Sequence, residues 1–156
     1  MIVNKDFKEF IQLLNKNKVK YLIVGGYAVA FHGYPRYTKD IDIWIKAEGE
    51  NAKNIIKTLN QFGFSFPNLT DADFLISDQV IQLGCPPNRI DLLTSISGVS
   101  FDECYEGRVI ESIEGVDVSF IGILDLKKNV TTHPCNCLQI GSRLEKEGFS
   151  SSGVYK

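Results

Sequence analysis

Two aspartates one residue apart, Asp40 and Asp42, head the run Asp40-Ile41-Asp42-Ile43-Trp44-Ile45, which alternates with period two. Such alternation makes a strand whose successive side chains point to opposite faces. Ile41, Ile43 and Ile45 are then directed into a core, while Asp40, Asp42 and Trp44 share the other face. Two carboxylates held side by side raise each other's pKa, and beside an indole they are costly unless a cation sits between them. A hard divalent cation suits that position. Mg²⁺ takes oxygen ligands and is commonly held by one or two carboxylates together with substrate phosphates. The bland alternative is a solvated strand edge carrying two charges.

What lies upstream weighs against that alternative. An apolar run at 21–24 meets Gly25-Gly26 and passes into a small-residue segment at 27–31, which reads as strand, tight turn and short helix. Glycine has no Cβ and the first amides of a helix have no internal partner, so a phosphate can approach the backbone closely at such a turn. Between turn and aspartates, Pro35 ends the helix and the loop projects Arg36, Tyr37 and Lys39. Arg36 and Lys39 either balance the charge of Asp40 or contact a triphosphate or acceptor. His32, at the expected helix end, reads as a capping or hydrogen-bonded residue rather than a catalyst.

A third carboxylate follows in the run Arg89-Ile90-Asp91-Leu92-Leu93-Thr94, where alternation puts Asp91 mid-strand among apolar neighbours. Two explanations stand open for it: an ion pair with Arg89, on the same face, or a third metal ligand facing Asp40 and Asp42.

The elements that must position these groups follow from periodicity. Residues 4–16 form an amphipathic helix with Phe7, Phe10, Ile11, Leu13 and Leu14 on one stripe. Residues 48–62 form a second, stopped by Gly63, that covers one face of the sheet. Residues 64–78 carry loop and helix-start signals before 72–76. Runs at 80–83 and 89–95 make a hairpin, and 108–113 with 116–121 make another around Glu114-Gly115. Short helices are expected at 101–105 and from 123 to 128. The sequence suggests a domain over residues 1–128 and an atypical C-terminal tail over 129–156.

At 156 residues with 44% apolar content, the chain can build one good core and is too short for two. A net charge of -2 gives no bulk attraction for a polyanion, so any nucleic-acid contact is local. The N-terminus lacks the pattern of a signal peptide, and the longest apolar run is broken by Gly25-Gly26, so a cytoplasmic protein with no membrane span is expected. The four cysteines, Cys85, Cys104, Cys135 and Cys137, read as reduced thiols. His133, Cys135 and Cys137 lack the partner pair that a structural zinc site needs.

Gly25-Gly26, then Asp40-x-Asp42, then Asp91 on a later strand, with the loop His32-Gly33-Tyr34-Pro35-Arg36-Tyr37-Thr38-Lys39 between, resembles the DNA polymerase β nucleotidyltransferase superfamily. The loop is most similar to the small bacterial branch, which includes minimal nucleotidyltransferases and abortive-infection toxins. The resemblance covers about residues 20–128. It implies an α/β (α+β) nucleotidyltransferase fold, a mixed sheet flanked by helices. Gly25 and Gly26, with Arg36 and Lys39, would bind the nucleotide. Asp40, Asp42 and Asp91 would hold two Mg²⁺ ions, and Asp91 would help remove a proton from the attacking hydroxyl.

The expected reaction is transfer of a nucleoside monophosphate from an NTP to a hydroxyl on RNA or on a protein side chain, in the setting of a toxin with a cognate antitoxin. A non-catalytic nucleotide- or partner-binding module with the same fold is the alternative. A phosphatase using Asp40 as nucleophile is disfavoured by the upstream glycine pair and by Ile43-Trp44 after the second aspartate.

Overall fold

The computed structural model of the chain describes residues 4–34, 40–84 and 89–132. Six strands, β1 (Tyr21–Val24), β2 (Ile41–Ile45), β3 (Val80–Leu83), β4 (Ile90–Leu93), β5 (Val109–Ile113) and β6 (Val116–Phe120), form one sheet in the order β3-β4-β2-β1-β6-β5. β1 runs antiparallel to β2, which pairs in parallel with β4, while β1 and β6 are parallel, so the sheet is mixed. Both expected hairpins form: β3 with β4, and β5 with β6. The second turns on Glu114 and Gly115, both at positive φ, the two-residue geometry whose twist matches that of the strands.

Among the described residues there are five helices, α1 (Lys5–Lys16), α2 (Gly25–Phe31), α3 (Gly49–Phe62), α4 (Phe101–Glu106) and α5 (Ile123–Thr132), with a 3-10 turn at Asp71–Leu75. That turn settles the ambiguous stretch before residue 76: Thr70 and Asp73 cap each other reciprocally, fixing a tight turn where loop signals and helix signals competed. The stripe Phe7, Phe10, Ile11 and Leu14 of α1 is buried, as are Ala52, Ile55 and Leu59 of α3, and Phe10 meets Phe62 edge to face at 5.2 Å. Burying each such large apolar side chain contributes about 1.5–3 kcal/mol. Trp44 is met on its own side by Phe101 of α4, with ring centroids 5.0 Å apart.

One buried amide ties the ends of β1 and β2 together. Asn51 donates to the carbonyls of Lys20 and Lys46 and accepts the N–H of Lys20, fixing the strand pair that carries the site.

The boundary expected between residues 128 and 129 falls inside α5. Asn129 is buried and donates to the carbonyl of Ser97, so the helical unit runs through it. The loss of a periodic apolar pattern hid this, because a buried amide serves here as the packing residue. The rest of the expected tail, 133–156, lies outside the described residues.

Candidate active site

The expected turn after β1 is absorbed into the helix. α2 begins on Gly25 itself, directly after Val24, and Gly25 has φ +67°, so one residue reverses the chain. A Cβ at Gly25 would lie 2.2 Å from Oδ2 of Asp42 and 3.1 Å from its Cβ. The glycine thus serves conformation and space together: any side chain there displaces the Asp42 carboxylate. At the other end of α2, His32 is the C-cap residue and its Nε2 lies 2.7 Å from the carbonyl oxygen of Ile121, the hydrogen-bonded role expected of it.

β2 is not a solvated edge. It lies between β1 and β4, every residue from Ile41 to Ile45 is buried, and Asp42 is 3% exposed. Its pairing registers Asp42 against Val24 on one side and against Asp91 on the other, and Asp91 in turn against Gln82 of β3. Registered partners share a face. A row Val24, Asp42, Asp91, Gln82 therefore crosses four strands on the face that also carries Trp44. One step along, the Ile41 N–H donates to the Arg89 carbonyl, and Asp40 lies beside Arg89.

The result is a buried square of three acids and one base. Nη2 of Arg89 donates to Oδ2 of Asp40 at 2.7 Å, and Nε of Arg89 donates to Oδ1 of Asp91 at 3.1 Å. Both explanations for Asp91 therefore bear on it: the ion pair with Arg89 exists, and it lies in a group that also holds Asp40 and Asp42. Among the described residues Asp42 pairs with no cation of its own, and its Oδ1 is buried with no hydrogen-bond partner. Its pKa is raised well above the usual carboxylate range, first by burial and then by the charges of Asp91 and Asp40 and hydrogen bonding with Asp91, against a smaller opposing pull from Arg89.

A hard divalent cation fits this donor set in its chemistry. Three carboxylates offer oxygen ligands and excess negative charge, and Oδ1 of Asp42 is a buried acceptor without a donor among the described residues. Among the described residues, however, no three His, Cys, Asp or Glu side chains converge on a common point. Two of the three acids are turned to the guanidinium instead.

Of the sequence-derived site residues, Gly25, Asp40, Asp42 and Asp91 come together near the start of β2, with Gly26 following Gly25 in α2, while Arg36 and Lys39 lie outside the described residues. Arg89, expected only as a partner for Asp91, also reaches Asp40, and Gln82, not among the expected site residues, lies in register with Asp91. The signal for Arg89 was its two-residue spacing from Asp91, which fixes a common face; for Gln82 it was a lone amide in an apolar strand.

Comparison with known proteins identifies the chain as a member of the nucleotidyltransferase superfamily. The sequence profile described as aminoglycoside-2''-adenylyltransferase matches residues 6–88, just over half of the chain, and the chain belongs to that family. The matched region contains the glycine pair, Asp40 and Asp42, and ends before Asp91. A crystal structure from Thermotoga maritima, of a protein described as a candidate nucleotidyltransferase, superposes with a TM-score of 0.57 at 14% identity, covering 93% of this chain and 88% of the other. At that identity the likeness is one of fold. No curated protein matches the chain in sequence. Among the described residues no helix is long and apolar enough to cross a membrane.

Proposed function

We propose that this protein transfers a nucleoside monophosphate from an NTP to a hydroxyl acceptor, with Asp40, Asp42 and Asp91 holding Mg²⁺. The observation that supports this reading is the in-register opposition of Asp42 and Asp91, with Gly25 pressed against Asp42 and Oδ1 of Asp42 left without a partner. When bound, the metal would neutralise phosphoryl charge and lower the pKa of the acceptor hydroxyl. The chain's own residues do the rest. Gly25 and Gly26 leave backbone amides that a phosphate can approach, and the sheet holds Asp42 and Asp91 opposite each other in register. Arg36 and Lys39 contribute to nucleotide affinity in this proposal; replacing either with Ala should weaken NTP binding, by less at high salt.

The family name describes adenylyl transfer to an aminoglycoside hydroxyl, which adds a small polycationic acceptor to the RNA and protein hydroxyls considered above. An acidic, net-negative chain suits that acceptor better than a polyanion. A toxin role with a cognate antitoxin goes with an RNA or protein acceptor. Labelled NTPs with Mg²⁺ and three acceptors, an aminoglycoside, cell RNA and cell protein, test the reading: incorporation into one supports it and identifies the acceptor. Metal-dependent NTP binding without incorporation into any would favour a non-catalytic module. One observation speaks for that second reading, the pairing of Arg89 with two of the three acids.

A further inference from the structure

We infer that Arg89 is a built-in counter-cation that holds the carboxylates together before metal enters, and that metal binding requires its guanidinium to release Asp40. This rests on the reading of the three aspartates as a metal site and adds a gate to it.

Asp40, Asp42 and Asp91 are 8%, 3% and 0% exposed, so water does little to separate them, and like charges in such surroundings destabilise the fold. Arg89, itself 3% exposed, is the cation paired with two of them. Its fork takes both oxygens of Asp91, at 3.1 and 3.5 Å, and one nitrogen reaches across to Oδ2 of Asp40 at 2.7 Å. Asp40 and Asp91 are thereby turned toward the guanidinium, and Asp42 is left with a buried, unpartnered oxygen.

A metal ion ligated by Asp42 and either neighbour would compete with Arg89 for the same carboxylate oxygens, and would meet its positive charge at close range. Asp40 is the neighbour to be released. It precedes β2 rather than lying within it, and its side chain meets Arg89 through one nitrogen, whereas Asp91 is held in the strand and by two. Arg89 is thus a positioning residue. It keeps the acids folded and close, and it lowers the affinity of the metal-free protein for cations.

The test is metal affinity read by thermal shift, from chelator-treated protein titrated with Mg²⁺ and with Mn²⁺, for wild type, Arg89→Lys and Arg89→Met. Arg89→Lys keeps the charge but cannot span both acids, so it should fold, and its half-saturating metal concentration should fall several-fold. Arg89→Met removes the competitor, so it should melt lower without metal and saturate at a metal concentration at least tenfold lower. Should Arg89→Met not fold, Arg89→Lys carries the test alone. Equal or weaker metal binding in the folded variants would overturn the gate, as would an absence of metal binding in all three proteins. The transfer reading fails separately, by absence of incorporation in wild type at saturating Mg²⁺. Asp42→Asn serves as control: its metal response should be lost, and a response equal to that of wild type would assign the shift to non-specific salt and overturn the gate.

Discussion

Gly25 and Asp42 are packed so closely that a single added carbon at Gly25 would overlap the carboxylate, at 2.2 Å from Oδ2. The turn that reverses the chain and the strand that presents the acid are therefore one structural unit. Substitution at either position acts on the other.

Gly25→Ala should lower stability by about 2–4 kcal/mol, combining a left-handed backbone without glycine and an overpacked contact. Chemical denaturation checks this. In the double variant Gly25→Ala/Asp42→Gly the clash is gone, so the combined loss should be smaller than the sum of the single losses. Additive losses would show that the contact carries no strain.

Asp42→Asn removes a charge at nearly constant shape, so the metal-free protein should keep its stability or gain on the order of 1 kcal/mol. The sign of the pH effect follows from the raised pKa of Asp42. Above about pH 4 the unfolded chain has given up this proton while the folded chain retains it. Stability then falls as pH rises, until the folded pKa is passed. Wild type and Asp42→Asn, melted in chelator from pH 4 upward, should diverge in favour of the variant. Parallel curves would contradict the raised pKa.

Asp91→Asn should differ from Asp42→Asn. It withdraws the carboxylate that takes two contacts from the buried Arg89, leaving the guanidinium with Asp40, and should cost about 3 kcal/mol or more without metal. Melting in chelator measures it. A loss no larger than that of Asp42→Asn would mean that Asp40 alone suffices for Arg89.

Cys104 is buried and its thiol is pushed up to about 12, by burial and then by the nearby Asp125 carboxylate. The thiolate is the reactive form, so Cys104 should resist iodoacetamide in native protein at pH 8 and react in denaturant. Peptide mapping by mass spectrometry reads this residue apart from the other cysteines. Native labelling at Cys104 would show that α4 opens readily.

A chain ending at Thr132 retains α5 and the buried Asn129. It should melt cooperatively, whereas a chain ending at Lys128 should lose about 1–3 kcal/mol through the missing Asn129 amide and its bond to Ser97. Equal stability of the two would move the boundary back to residue 128.

Local patterning was enough to place the strands around Asp40, Asp42 and Asp91, the glycine pair and both hairpins. Period two and turn chemistry are properties of a few adjacent residues, and each such element records its own burial pattern. The sequence also determined that Arg89 and Asp91 share a face, because a spacing of two fixes that in any strand. It could not determine that β4 lies beside β2 in parallel, with residues 46–89 intervening, and only that pairing sets Asp42 opposite Asp91 and Arg89 beside Asp40. Nor could it show that β2 is central and buried through its whole length, which gives Asp42 a raised pKa. Register between distant strands is a matter of how whole faces pack, and burial is a property of everything that surrounds a strand. The chemistry was written in residue types, while the charge balance that governs it was decided by which strand lay next to which.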